Sequence, residues 1–211
     1  MPARRSLVLA CASVAVVVAA GCAVAACWYV GLFTSDGRFA PLDAGRVLPP
    51  PDALAPLVRN GAREPKDSRP RTTLGLGGDA ASECKWSSVP SGQDRPFRTV
   101  RLRIQTLIHD GRASGAARAE RNLAGWARKA GAERPVVPVN VGEGGYARVD
   151  ALAVQILFRQ MVIYDVHVQF RISNALVDVS ARTHTRPDDH ATALVRNLAE
   201  TTAHHLPHTP H

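Results

Sequence analysis

Hydrophobic and polar residues alternate with a period of two along two stretches of this chain. Val100, Leu102 and Ile104 interleave with Arg101, Arg103 and Gln105, which predicts a strand with one buried face and a basic outer face. The arginine row reads as the wet side of an antiparallel sheet, with an anion-binding row as the alternative. Further on, Val162, Tyr164, Val166, Val168, Phe170 and Ile172 interleave with Ile163, Asp165, His167, Gln169 and Arg171. Ser173-Asn174 breaks this run, and Val177 and Val179 resume it. That is a hairpin with its turn near Asn174, a residue type that tolerates left-handed backbone. Ala151 to Ser180 is then the apolar heart of the fold. Within it, Ala153 to Met161 lacks clean periodicity and reads either as a third strand or as a buried helical turn. Cys84 to Val89 and Val136 to Val141 are shorter extended segments.

Helical spacing governs three other stretches. From Ser114 to Ala130, Ala116, Glu120, Leu123, Trp126 or Ala127, and Ala130 fall at intervals of three and four, with Glu120 near the edge of the apolar face, and Gly131 suits the position after the helix end. Leu123 and Trp126 are expected to bury against the sheet. Arg186 to Leu206 forms a closing helix, with Pro187 at its first position and Asp188 and Asp189 at the positive end of its dipole. Its buried stripe is Ala191, Leu194, Val195, Leu198 and Thr202, and Pro207 stops it. Asp52 caps a short helix running to about Asn60, with Leu54, Leu57 and Val58 on one face, Pro56 limiting it and Gly61 ending it. The fold class predicted is α+β: one antiparallel sheet packed with two to three helices.

One stretch follows neither period. Leu7 to Phe33 carries no charged side chain. At about 1.5 Å of rise per residue, such a helix exceeds the roughly 30 Å hydrocarbon core of a bilayer. Arg4 and Arg5 precede it and Asp36 follows, so residues 1–6 are placed in the cytoplasm and everything after residue 33 outside. Three readings share that orientation. The leading one is an uncut signal anchor, a transmembrane helix over residues 7–33. In the second, Ala19-Ala20-Gly21-Cys22 acts as a lipobox and Cys22 is lipidated. In the third, a secretory signal is cut after Ala23-Val24-Ala25. The anchor leads because Trp28 to Phe33 stays apolar just past both cuts. Residues 34–50, ending in Leu48-Pro49-Pro50-Pro51, read as a stiff tether. Residues 51–206 are the extracytoplasmic domain, with 62–83 a mobile surface loop and 207–211 a His-rich tail.

Charge and cysteine content narrow the partners. The formal net charge is +8 with 26 Lys and Arg, and only Lys66, Lys85 and Lys129 are lysines. That arginine bias matches the codon usage of a GC-rich bacterium and does not point to nucleic acid. A basic domain outside a cell meets anionic headgroups or acidic wall polymers. Three of the 4 cysteines, Cys11, Cys22 and Cys27, lie in the apolar run. Cys84 therefore has no partner for a disulfide within the domain, and it reads as buried.

Motifs that would carry chemistry are missing. Neither Gly-x-Ser-x-Gly nor His-Glu-x-x-His occurs. Gly142-Glu143-Gly144-Gly145 lacks the spacing and lysine of a phosphate-binding loop, so neither a nucleotide nor another cofactor is expected. Asp165 and His167 sit two apart on one strand face, near enough to form a surface pair but with no nucleophile beside them. No catalytic residue is assigned, and an enzyme is not expected. His204, His205, His208 and His211 crowd the terminus, with His184 and His190 upstream. Imidazole suits Zn, Cu and Ni, so weak metal capture by this tail stands as a hypothesis beside a plain exposed tail.

The order of these elements resembles a known group. Pro-Pro-Pro-Asp-Ala-Leu-Ala-Pro-Leu-Val-Arg-Asn-Gly (49–61), Cys84-Lys85-Trp86 at a strand entry, Gly-Glu-Gly-Gly-Tyr-Ala (142–147) and the hairpin from Phe170 to Ala181 resemble actinobacterial envelope proteins. These are small lipoproteins and anchored proteins related to LpqN-like lipoproteins and to extracellular sensor domains of serine/threonine kinases. The resemblance covers roughly residues 45–206. It implies an antiparallel sheet packed with helices, and extracytoplasmic binding or sensing without catalytic residues. Many relatives carry a cysteine before the first helix that pairs with the one at the Cys84 position, whereas Gly45-Arg46-Val47 stands there in this chain. The expected function is a membrane-anchored, non-catalytic binding domain whose partner is the bilayer with an envelope lipid, wall polymer or membrane protein. An accessory subunit of an envelope complex is the alternative, and a hydrolase ranks third.

Overall fold

The computed structural model describes residues 18–25, 27, 36–64, 67–72, 78–88, 97–156 and 158–206. Its elements are α1 (Ala44–Val47), α2 (Pro51–Leu54), β1 (Gly61–Arg63), β2 (Arg71–Thr72), β3 (Ala80–Ser88), β4 (Thr99–Thr106), α3 (Gly115–Glu133), β5 (Val137–Val139), β6 (Gly145–Ile156), β7 (Arg159–Ile172), β8 (Ala175–Thr183) and α4 (Asp189–His205). The strands form one 8-stranded sheet in the order β1-β3-β4-β8-β7-β6-β5, with β2 paired to β3. Every pairing is antiparallel. The α+β class and the single antiparallel sheet are as expected. No helix among the described residues is long and apolar enough to cross a membrane. Most of the run Leu7 to Phe33 lies outside the described residues. Its described part, 18–25, is helical and holds Cys22 as a free thiol.

Alternation sorts the sheet into two unlike faces. Val100, Leu102 and Ile104 of β4 lie in register with Ala181, Val179 and Val177 of β8. Those in turn oppose Val166, Val168 and Phe170 of β7. All nine are buried in the main core, where Val195, Leu198 and Ala199 of α4 cover them. Cys84 joins this face, 3% exposed, and burial pushes its thiol above the ordinary range. The opposite face carries Arg101, Arg103, His167, Gln169 and Asp178, and α3 crosses it. There Leu123 and Trp126 pack with Leu107, Ala119 and Leu176 in a second, smaller cluster. Trp126 meets the sheet as expected, but on the side away from the main core.

Several boundaries differ from the expectations. Of residues 34–50, those from Asp36 onward do not form a tether. Phe39, Leu42, Ala44 and Val47 are all buried in the core, and Asp43 caps α1 by accepting from the Gly45 N–H at 2.8 Å. The helix expected from Asp52 to Asn60 is the single turn α2, with Pro50 and not Asp52 at its N-cap position. Leu54, Leu57 and Val58 are buried as expected. Of the loop 62–83, the described residues supply parts of β1, β2 and β3, with 65–66 and 73–77 outside the described residues. Gly131 lies inside α3, which runs on to Glu133. Pro187 precedes α4, whose N-cap is Asp188. Left-handed backbone at the β7–β8 turn belongs to Ser173, φ 52°, and not to Asn174.

The largest difference is at the start of the supposed apolar heart. Ala153 to Met161 takes the strand alternative, as the end of β6 and the start of β7, and those of its residues whose burial is described are exposed or half-buried. β8 pairs with β7 only from Tyr164 onward, and β5 pairs with β6 only at residues 145–147. The rest of β6–β7 is a two-stranded ribbon beyond the sheet. Leu152 is 62% exposed and Phe158 100%.

Candidate functional site

On its polar face the sheet presents rows of cross-strand neighbours. Arg103 lies opposite Asp178, Asp178 opposite Gln169, and Gln169 opposite Tyr146. In the next row Arg101, Ser180, His167 and Arg148 are neighbours in the same way. α3 roofs part of these rows with Trp126, Lys129, Ala130 and Glu133, leaving a cleft of about 440 Å³ between helix and sheet. Small-molecule sites commonly hold about 300–1,000 Å³.

The roof is pinned at both ends. Near its start, the Arg118 guanidinium donates to both carboxylate oxygens of Asp79, each at 2.7 Å, and to the Ile108 carbonyl at 2.6 Å. Ser114 caps the helix by accepting from the Ala117 N–H at 3.2 Å. Just past its end, Arg134 donates to Asp150 at 3.0 Å. Gly115 lets the first turn approach the chain: a Cβ there would sit 2.2 Å from the Leu107 carbonyl oxygen and 2.3 Å from that of Asp36.

At the floor a buried histidine is clasped by two acids. His167, 6% exposed, has Nδ1 3.0 Å from Asp178 and Nε2 3.6 Å from Asp150. Burial would raise the Asp178 carboxyl, but the hydrogen bond and charge of His167, with Arg101 nearby, outweigh it and hold the group below its ordinary range. Tyr146 donates its hydroxyl to Gln169 Oε1, and burial pushes that phenol up to about 12. Tyr146 is therefore a neutral donor at physiological pH.

A depressed carboxyl has a fixed sign in the pH dependence of stability. Asp178 stabilises the fold fully above its unfolded value of about 3.9, and that share is lost as pH falls through the still lower folded value. Asp178→Asn is expected to lose stability at neutral pH and to show a shallower loss on acidification below about pH 4. Urea midpoints measured across that range for both proteins check this; parallel curves would refute it.

The structure separates some of the residues singled out from sequence and joins others. Asp165 and His167 do not pair: Asp165 accepts from Arg182 Nε at 2.8 Å and from its Nη2 at 2.7 Å, while His167 turns to Asp178 and Asp150. Arg103 is exposed, as the wet-face reading expects, while Arg101 is half-buried beside Ser180 and Asp178. His204 and His205 end α4, whereas His208 and His211 lie outside the described residues. Among the described residues no group of three or more His, Cys, Asp or Glu could hold a metal ion. Tyr146, Arg148, Asp150, Gln169 and Asp178 went unremarked as site residues. The alternation Tyr146, Arg148, Asp150 on β6 was the available signal.

No family model matches the chain, and no curated protein matches it.

Proposed function

We propose that this is a membrane-anchored, extracytoplasmic binding domain that holds a small polar ligand in the cleft between α3 and the sheet. The roofed cleft is the observation that carries the reading. Its floor is a row of charged and amide side chains, and its roof is pinned, so the space is preformed. The apolar run Leu7 to Phe33 and the arginines before it support the anchor and the placement outside. A non-catalytic role is supported by His167 Nδ1 being held by Asp178 at 3.0 Å, and by its cross-strand neighbour Ser180 being buried outside the cleft lining and accepting from Arg101 Nε at 3.2 Å. The likeness to LpqN-like envelope lipoproteins and kinase sensor domains stays within this proposal.

One observation favours the accessory-subunit reading: the β6–β7 ribbon, with Leu152, Phe158 and Val162 exposed. Leu152 and Val162 lie on opposite faces of the ribbon, so a partner that grips it from both sides would cover them. The two readings separate in one experiment, native mass spectrometry of the full chain extracted from its own membranes. Ligand binding predicts a bound non-protein mass that is lost on Gln105→Trp, which fills the cleft from β4. An accessory role predicts a bound protein that is lost on Phe158→Ser, with no small molecule attached.

A further inference from the structure

The class of ligand follows from which cleft groups remain uncommitted, and this step rests on the reading of the cleft as a binding site. Arg101 is engaged: its Nε donates to Ser180 Oγ at 3.2 Å, and its Nη2 lies 3.9 Å from Asp178. Asp178 and His167 hold each other, as do Tyr146 and Gln169. The uncommitted groups are mostly cationic donors. Neither Arg103 nor Lys129 has a hydrogen bond or ion pair to another described residue. Arg148 gives Nη2 to Asp150 at 3.2 Å, but its Nε is shut off from solvent with no hydrogen-bond partner. Glu133 is the one uncommitted carboxylate of the lining, exposed at the last residue of α3. Beside these donors, Trp126, Ala130 and Leu176 give the cleft an apolar wall.

We propose that the cleft takes an organic oxyanion, a carboxylate or a phosphate monoester. Its charged oxygens meet Arg103 and Lys129, and its apolar body lies along Trp126. Guanidinium groups suit this role because their planar donor sets match the oxygens of both anions. The cleft lining carries four cations, Arg101, Arg103, Lys129 and Arg148, against two carboxylates, Glu133 and Asp178, so the site is positive.

The test is calorimetric titration of the full chain in detergent with benzoate, phenyl phosphate and the neutral benzyl alcohol. Expected is binding of at least one anion and none of the alcohol. Tighter benzoate assigns a carboxylate, and tighter phenyl phosphate a phosphate monoester. Arg103→Gln and Lys129→Gln change exposed side chains and are expected to leave the thermal midpoint in place. Each should weaken the bound anion roughly tenfold, the size expected for one lost charge-assisted bond. Benzyl alcohol binding as tightly as the anions would overturn the proposal, as would unchanged anion affinity in the double variant. Silence from both anions also overturns it, while a non-protein mass found in the cleft by native mass spectrometry would leave the binding reading standing.

Discussion

Asn174→Ala is expected to destabilise the domain by about 4 kcal/mol, more than half of the margin of a marginal fold. Asn174 is 0% exposed at the β7–β8 turn. Its side-chain amide donates to the carbonyls of Phe39 and Leu107, each at 2.9 Å, and its oxygen accepts from the Phe39 N–H at 2.9 Å. Alanine removes all three bonds and leaves two carbonyls and one N–H buried. Each such group costs about 1–3 kcal/mol when unpaired. Asn174→Asp should be no milder, because it sets a carboxylate against two carbonyl oxygens and loses both donated bonds. Chemical denaturation followed by circular dichroism measures the difference. A loss below about 1 kcal/mol would mean that water replaces the amide, and that residues 36–39 are not held by it. Asn174 is thus the clamp that ties Phe39 to the β7–β8 turn.

That clamp was out of reach of local pattern reading. Phe39 and Asn174 are 135 positions apart, and nothing in the residues around either one announces the contact. Pro49 and Pro50 are extended, but Pro51 opens α2, and the prolines say nothing of what this segment lies on. Local signals succeeded where the period itself is the structure. Val100 to Ile104 and Val166 to Phe170 alternate because one side of each strand is dry, and both were legible with their buried sets. Counting Ala151 to Met161 into the apolar heart fails for another reason: many of its residues are apolar, but β8 pairs with β7 only from Tyr164 onward, and coverage is a property of the whole sheet. The cleft was half legible. Alternation put Arg101 and Arg103 on the polar face, and helical spacing gave α3 a buried stripe with Trp126. That the stripe lies across the arginine rows depends on connections through Arg118 and Asp79, separated by 39 positions, which neither period encodes.

Phe170→Ala is expected to cost about 4 kcal/mol as well, within the range of about 3–5 kcal/mol for removing a buried phenyl ring. Phe170 is 0% exposed, on the dry face of β7 opposite Val177. Its surroundings cannot close over the space it would leave. A Cβ at Gly145 would sit 2.8 Å from the Phe170 Cβ, and one at Gly142 3.1 Å from its ring. The glycine-rich turn is thus cut to the shape of the ring, which gives it a packing role in place of a phosphate-cradling one. Gly142 sits at φ 62°, which glycine alone adopts freely. Phe170→Leu keeps most of the volume and should cost about 1–1.5 kcal/mol. The ratio between the two variants is the informative quantity. Equal losses would mean that the ring's shape, and not its volume, sets the stability. Because Gln169 points to the cleft and Phe170 to the core, the folded fraction of Phe170→Ala should bind ligand as the parent does. Affinity corrected for that fraction then separates the two faces of β7: a change in corrected affinity would show that the core face controls the cleft.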